Sequence, residues 1–273
     1  MCEADLAAAS EVSAAAFGND ISDSAARADW ERRMAHAFRT DPAGSFVAER
    51  DGRLLGVAEA IRRDELWVLS MLAVVPSRQS GGVGRALLEA ALGYWGKAQA
   101  GLIVSSNDPR ALRLYGLAGF ALRPTFSARG DVRRAAIPRG LPPVRETEDL
   151  AALAAVSRAV RGAPLAAEWP LARARGGRAL ALADRGFVVV MPGHGIWTLH
   201  ARDGDSAAAL LWHGLEAAGA GSRAEVVRWV TGEQQWAVEV LLRAGLELVP
   251  YGALAVRGRP GTLWPYIPSP PFA

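Results

Sequence analysis

The chain has 273 residues, 51% of them hydrophobic and 22% charged, with a formal net charge of +3. That balance supplies a core for one large domain or two modest ones and excludes a chain disordered throughout. No run of about 18 uncharged apolar residues is present to span a membrane, and the positive excess is too small to mark a nucleic-acid surface.

Asp5 to Phe17 is Ala-rich with periodic apolar positions and predicts a helix. A second helix is expected from Ser22 or Ser24 to Phe38, capped by Ser22 or Asp23 and stopped by Asp41-Pro42-Ala43-Gly44. Ser45–Glu49 and Leu54–Ala60 read as a hairpin turning at Asp51-Gly52, with a further strand from Leu66 to Val75. A glycine-rich loop, Gln79 to Gly84, leads into a helix from Arg85 to about Trp95. Leu102–Ser105 is a short strand and Pro109–Leu117 a helix with proline in its first turn, after which extended chain runs to about Arg134.

Arg139-Gly140-Leu141-Pro142-Pro143 is the linker candidate. It divides the chain into residues 1–138, residues 144–258 and a proline-rich tail, 259–273. Beyond it a similar order returns. Helices are expected at Asp149–Val160 and Trp169–Arg175, and strands at Arg178–Ala183, Phe187–Met191 and Ile196–His200. Then come a helix at Ser206–Ala217, a strand at Ala224–Val230, a helix at Glu233–Arg243 and a last strand at Leu254–Val256. Leu241–Pro250 aligns with Leu114–Pro124, and Leu210-Leu211 with Leu87-Leu88, which points to duplication of one α/β unit. The prolines of the tail predict an extended segment wrapped over the body.

Chemistry concentrates in Leu72 to Leu92, LAVVPSRQSGGVGRALLEAAL. A strand ends at Pro76, Gly81, Gly82 and Gly84 follow, and a helix begins at once. Unpaired amides at a helix start carry partial positive charge, glycines let the backbone approach a phosphate, and Arg85 and Arg78 add full charge. Neither a Walker A sequence nor GxGxxG is present. The spacing Leu72-x-Val74-x-Pro76-x-x-Gln79-x-x-Gly82-x-Gly84 resembles the acetyl-CoA-binding motif of the GCN5-related N-acetyltransferase (GNAT) family. Asn107 together with Ala111–Phe120, ALRLYGLAGF, resembles the next motif of that family.

The resemblance implies an α/β protein of two tandem GNAT folds, each a mixed, mostly antiparallel sheet flanked by helices. It also implies acetyl-CoA as co-substrate and no metal. The pantetheine arm would lie between Leu72–Val75 and Leu102–Ser105, hydrogen-bonded by the backbone around Leu72, Ala73 and Val74. The amides of Gln79, Ser80, Gly81, Gly82, Val83, Gly84 and Arg85 would cradle the pyrophosphate. Asn107 would hold the coenzyme near its thiol, and Tyr115 would protonate the departing thiolate, unless it is simply a core tyrosine. The strand before the loop carries only Ser70 at its middle, so the general base is either Glu59, otherwise a solvated surface acid like Asp64 and Glu65, or solvent itself. The acceptor would be a primary amine on a small molecule or peptide, acetylated directly in a ternary complex. The competing class is a non-catalytic acyl-CoA-binding or sensing protein.

In the second half the loop equivalent falls within His200–Leu211. There Asp205 stands for Gly82 and Ala207 for Gly84, while Leu241 stands for Tyr115 and Glu233 for Asn107. Asp203 and Asp205 would repel a pyrophosphate, so a degenerate copy is expected. Trp169, Trp197, Trp212, Trp229, Trp236 and Trp264 either pack the core or, with Glu233 or Glu239, wall an acceptor cleft. His194 and His200 read as structural. A single cysteine, Cys2, excludes an internal disulfide, and His36, His194, His200 and His213 make no HxxxH or HExxH pair. Met1–Asp5 is acidic and makes a poor secretory signal, so the expected compartment is cytoplasmic, with no membrane or nucleic-acid partner. No strand is predicted ahead of the first helix, where the family usually has one; either it is missing or the second half substitutes for it at the sheet edge, and an edge left exposed would favour a homodimer.

Overall fold

The computed structural model describes residues 1–218 and 225–273, which fall into two compact units: Met1–Ala98 with Phe272, and Gln99–Pro271 with Ala273. Both mix helices with sheet, as the α/β expectation requires.

The first unit holds α1 (Leu6–Phe17), α2 (Ser24–Thr40), β1 (Ser45–Arg50), β2 (Arg53–Arg63), β3 (Leu66–Val74) and α3 (Val83–Gly93). The strands form an antiparallel meander in that order. Asp23 caps α2, its carboxylate accepting from the amides of Ala25 and Ala26. Strand alternation assigns the faces of β2. Val57 packs with Ala9, Val12, Met34 and Met71, so the Val57, Glu59 and Ile61 side meets α1 and α2. Gly56 faces α3 instead, where an added Cβ would sit 2.8 Å from Leu87 Cδ1 and 2.8 Å from the Ala73 carbonyl oxygen. Trp67 reaches the same helix, its Nε1–H donating to the Ala91 carbonyl at 3.1 Å. The β2–β3 ladder slips once: Glu59 opposes Met71 and Ala60 opposes Leu69, which leaves Ser70 as the extra residue of a β-bulge. Among the described residues no strand precedes α1; the Met1 amine donates to the Ser45 carbonyl of β1 at 3.2 Å.

The second unit holds β4 (Ala100–Ser105), α4 (Pro109–Leu117), β5 (Ala121–Arg129), β6 (Arg145–Thr147), α5 (Ala154–Arg161), α6 (Trp169–Ala174) and β7 (Arg178–Leu182). It continues with β8 (Gly186–Met191), β9 (Gly195–Ala201), α7 (Gly204–Ala217), β10 (Glu225–Thr231), α8 (Gln235–Arg243), β11 (Glu247–Gly258) and β12 (Tyr266–Ile267). Its strands run in the orders β4-β11-β5-β10 and β12-β9-β8-β7-β6. β11 pairs antiparallel with β4 on one side and β5 on the other, Leu254 lying opposite Val104 and opposite Arg123. Two strands that precede the linker thus find their partner in the last long strand of the second half. That is why the compact units part before β4 rather than at residues 139–143. Val188, Leu199, Leu210, Leu211, Val227, Leu241 and Ile267 belong to the core of this unit.

Several boundaries differ from the sequence expectation. α3 begins at Val83 rather than Arg85, because Gly82 in the left-handed region closes the loop and Val83 and Gly84 already lie in the helix. The last strand spans 12 residues because it is paired along both edges. Asp149–Val160 resolves into a 3-10 turn at Ala151–Leu153 followed by α5, and β6 was not expected at all. The strand start placed at Ala224 lies outside the described residues.

The tail wraps by strand pairing. Tyr266 to Ser269 is buried, and β12 runs along β9 with Tyr266 opposite His200 and Ile267 opposite Leu199. Gln234 holds it twice: its Nε2 donates to the Leu263 carbonyl at 2.8 Å, and its Oε1 accepts from the Tyr266 amide at 3.1 Å. The Thr198 hydroxyl donates to the Ile267 carbonyl at 2.8 Å, and the buried Arg161 guanidinium donates to the carbonyls of Ala163, Pro164 and Ala273.

Candidate coenzyme-binding and catalytic site

β3 ends at Val74, and a 3-10 turn at Pro76–Arg78 leads into the loop. Gln79 is half-buried and folds back, its Nε2 donating to the Val74 carbonyl at 3.1 Å, while Ser80, Gly81 and Gly82 are exposed. Ser80 and Gly82 take left-handed backbone conformations, with φ of 66° and 85°. A Cβ built on Gly82 would meet nothing within 4 Å, so glycine is required there for its conformation and the space above it is open. The amides of Val83, Gly84 and Arg85 have no helical carbonyl one turn earlier; the Ala86 amide is the first to bond, to the Gly82 carbonyl at 3.1 Å. A glycine cap brings no side chain to cover them. Leu72, Ala73 and Val74 form the end of β3. Arg85 does not bring free charge to the loop, because its Nε bonds Glu89 Oε1 at 2.8 Å along the exposed side of α3.

The start of α7 offers the contrast. Its cap is Asp203, whose carboxylate accepts from the Ser206 amide at 2.8 Å and meets Arg185 Nη2 at 2.6 Å. Partial burial opposes ionisation of Asp203, but the hydrogen bonds from Ser206 and Arg185 and the charge of Arg185 outweigh it and hold the carboxyl below its ordinary range. A negative side chain therefore already takes one of the amides that an anion would need and sets its charge against the rest.

Glu59 is 1% exposed, whereas Asp64 and Glu65 lie on the surface. Neither carboxylate oxygen of Glu59 accepts a hydrogen bond. Burial pushes its carboxyl up to about 8, opposed by the charge of Arg33 on α2. Arg33 in turn donates from Nη2 to the Ser70 carbonyl in the bulge at 3.3 Å. An unpartnered buried carboxylate is costly, and such groups concentrate at functional sites.

Asn107 and Tyr115 belong to the second unit, while Glu59 and the whole stretch Leu72–Arg85 belong to the first. Asn107 is exposed just ahead of α4, whose cap Asp108 accepts from the Arg110 amide at 2.9 Å. Tyr115 is 6% exposed; burial and then the nearby charge of Asp108 raise its hydroxyl above the ordinary phenol value, so it stays protonated throughout the neutral range.

In the second half, Trp169, Trp197, Trp212 and Trp229 are buried, which is core packing, and only Trp264 is largely open, at 45%. Trp169 donates to the Glu148 carbonyl and Trp229 to the Ser105 carbonyl. Glu239 pairs with Arg243 at 2.6 Å. His200 is buried against Phe187, its Nε2 lying 3.0 Å from the Thr198 hydroxyl; burial, with help from Arg161, keeps it neutral. Sequence reasoning missed Arg33, Gly56, Arg161 and Gln234. Only Gly56, a glycine inside a strand pattern, carried a local signal. Among the described residues no cluster of three or more His, Cys, Asp or Glu side chains could hold a metal ion, and no helix is long and apolar enough to cross a membrane.

Residues 10–120, which carry this loop and the Tyr115 helix, match the model of the acetyltransferase (GNAT) family. It is similar to the mycothiol acetyltransferase of Streptomyces avermitilis, 35% identical over 127 residues, covering 44% of this chain and 41% of that protein. The mycothiol acetyltransferase of Thermomonospora curvata is 39% identical over 84 residues, covering 29% of this chain and 28% of that protein. The matches thus span about two fifths or less of the length of these curated relatives. In fold, the chain is similar to a candidate acetyltransferase of Pyrococcus horikoshii, with a TM-score of 0.79 at 15% identity, covering 99% of this chain and 93% of that one. A GCN5-related N-acetyltransferase of Kribbella flavida gives a TM-score of 0.60 at 18% identity, over 94% of this chain and 69% of that one.

Proposed function

We propose that the chain is an acetyl-CoA-dependent N-acetyltransferase whose coenzyme site lies in residues 1–138. The observation that carries this reading is the start of α3: open amides, a glycine cap and a left-handed loop at the positions of the family motif. The amides from Gln79 to Arg85 hold the pyrophosphate, and the backbone of Leu72, Ala73 and Val74 receives the pantetheine arm. Asn107 and Tyr115 take the roles the resemblance assigns them. The acceptor amine attacks the thioester carbonyl, Glu59 takes the proton it sheds, the C–S bond breaks, and Tyr115 donates a proton to the departing sulfur. A phenol held above its ordinary value gives up that proton reluctantly, so much of its contribution is a hydrogen bond to the thiolate.

Residues 144–258 form a second, degenerate copy that binds no coenzyme. Two features support this: Asp203 covers the start of α7, and β12 occupies the edge of β9. The relatives named mycothiol acetyltransferase make a small-molecule amine the first acceptor class to test. The proposed compartment is the cytoplasm and the proposed assembly a homodimer, checked by fractionation and by mass in solution.

Calorimetric titration with acetyl-CoA should give one equivalent per chain, and thiol release should accelerate on adding an amine of the right class. Binding without amine-dependent release across a broad panel would favour the acyl-CoA-sensing alternative. No binding at all would overturn both readings.

A further inference from the structure

Glu59 faces a layer with few charges. The residues that α1 buries are Ala9, Ser10, Val12, Ser13 and Ala14, none of which titrates. Ser45 of β1 and Met71 of β3 lie opposite Glu59 in register, and neither carries charge. Asp41, the residue that closes α2, is taken up by the Arg62 amide, by Arg63 at 2.7 Å and by the Tyr94 hydroxyl. α2 contributes Arg33 and His36, and the His36 ring packs edge-on against Phe272 at 5.7 Å.

Arg33 is fixed from two directions. Its guanidinium lies 5.1 Å from the centre of the Trp30 ring, and Nη2 donates to the Ser70 carbonyl. Ser70 is the bulged residue beside Met71, the register partner of Glu59. A bulge turns a carbonyl out of the ladder, and here that carbonyl anchors a cation on the side of the sheet where Glu59 lies.

We infer that Arg33 is a positioning residue for the base: its charge, anchored on the Ser70 bulge and the Trp30 ring, sets the pH range in which Glu59 takes the acceptor's proton. This rests on Glu59 being the base. Burial alone favours the neutral carboxyl, which cannot accept a proton, and a nearby fixed cation lowers the pH at which the charged form appears. A lysine at this position keeps the charge; a glutamine keeps a hydrogen-bond donor for Ser70 and loses the charge.

The test compares the pH profile of kcat/KM, and the carboxyl 13C titration of Glu59, in wild type, Arg33→Gln and Arg33→Lys. Glu59→Gln identifies the resonance. In Arg33→Gln both the acidic limb and the resonance should move to higher pH by about one unit or more, with turnover at pH 7 falling roughly tenfold and acetyl-CoA affinity unchanged within about twofold. Arg33→Lys should restore the wild-type limb. If Arg33 merely ties α2 to the sheet, Arg33→Gln lowers the melting temperature and scales turnover equally at every pH, and an unmoved Glu59 resonance overturns the inference. Should Arg33→Gln not fold, Trp30→Leu removes the ring beneath the guanidinium and should move the limb the same way by a smaller amount; an unmoved limb there also overturns it. Full turnover in Glu59→Gln would remove the base assignment instead, and the 13C titration would still report whether Arg33 controls the carboxyl.

Discussion

Replacing Glu59 with glutamine should make the protein more stable and less active. The ordinary value of this carboxyl is 4.5, and burial moves it in the folded chain up to about 8. Below 4.5 both states hold the proton and the residue has no effect on stability. Between the two values the unfolded chain has lost a proton that the native chain retains, so stability falls as pH rises, and above about 8 the loss is complete. At about 1.4 kcal/mol for each pH unit, that interval corresponds to a few kcal/mol, about 5 at most. No hydrogen bond to either carboxylate oxygen returns any of it. Glutamine has nearly the same shape and never ionises. Urea unfolding should therefore find Glu59→Gln close to wild type near pH 4.5 and more stable by several kcal/mol at pH 8.5, while acetyl transfer falls by roughly 10²-fold or more. A wild-type stability that is flat from pH 5 to 8.5, matched by an equally flat variant, would refute the burial reasoning.

Gly82→Val should lose about 1 kcal/mol or more from the left-handed backbone and weaken acetyl-CoA binding at least tenfold, read by calorimetry, because the new side chain stands over the amides. Tyr115→Phe should leave acetyl-CoA affinity within about twofold and cut turnover roughly 10²-fold; unchanged turnover would remove Tyr115 from the chemistry. Gly56→Ala should cost about 1–3 kcal/mol in chemical denaturation, since its methyl would sit 2.8 Å from both Leu87 Cδ1 and the Ala73 carbonyl oxygen. It should also weaken coenzyme binding by pushing the start of α3 off the sheet. Gln234→Ala leaves the Leu263 carbonyl and the Tyr266 amide without their partner, so the tail should become a site of early proteolysis and stability should drop by about 1–3 kcal/mol.

The parts legible from the sequence share a short range. Gly82 and the loop around it, the Asp23 cap of α2, the Pro109 start of α4 and the two aspartates at the start of α7 are each settled within about one or two helical turns of chain. Glu59 was singled out by its place on a strand, yet its burial was not legible, since alternation says which residues share a face and not what covers that face. Arg33 gave no signal at all: an arginine on an amphipathic helix is ordinarily a solvated one, and its role depends on a bulge in β3, three strands later.

The amino-acid sequence by itself determined which helix start is left open and which is capped by a negative side chain, because glycine and aspartate act on the nearest few amides through backbone conformation and charge. Only the tertiary structure decided that β11 runs between β4 and β5, that the tail pairs with β9, and that a carboxylate is sealed beside an arginine. Strand edges offer the same donors and acceptors whatever their side chains, so pairing across long separations is chosen by how the whole core packs, and burial follows from that choice.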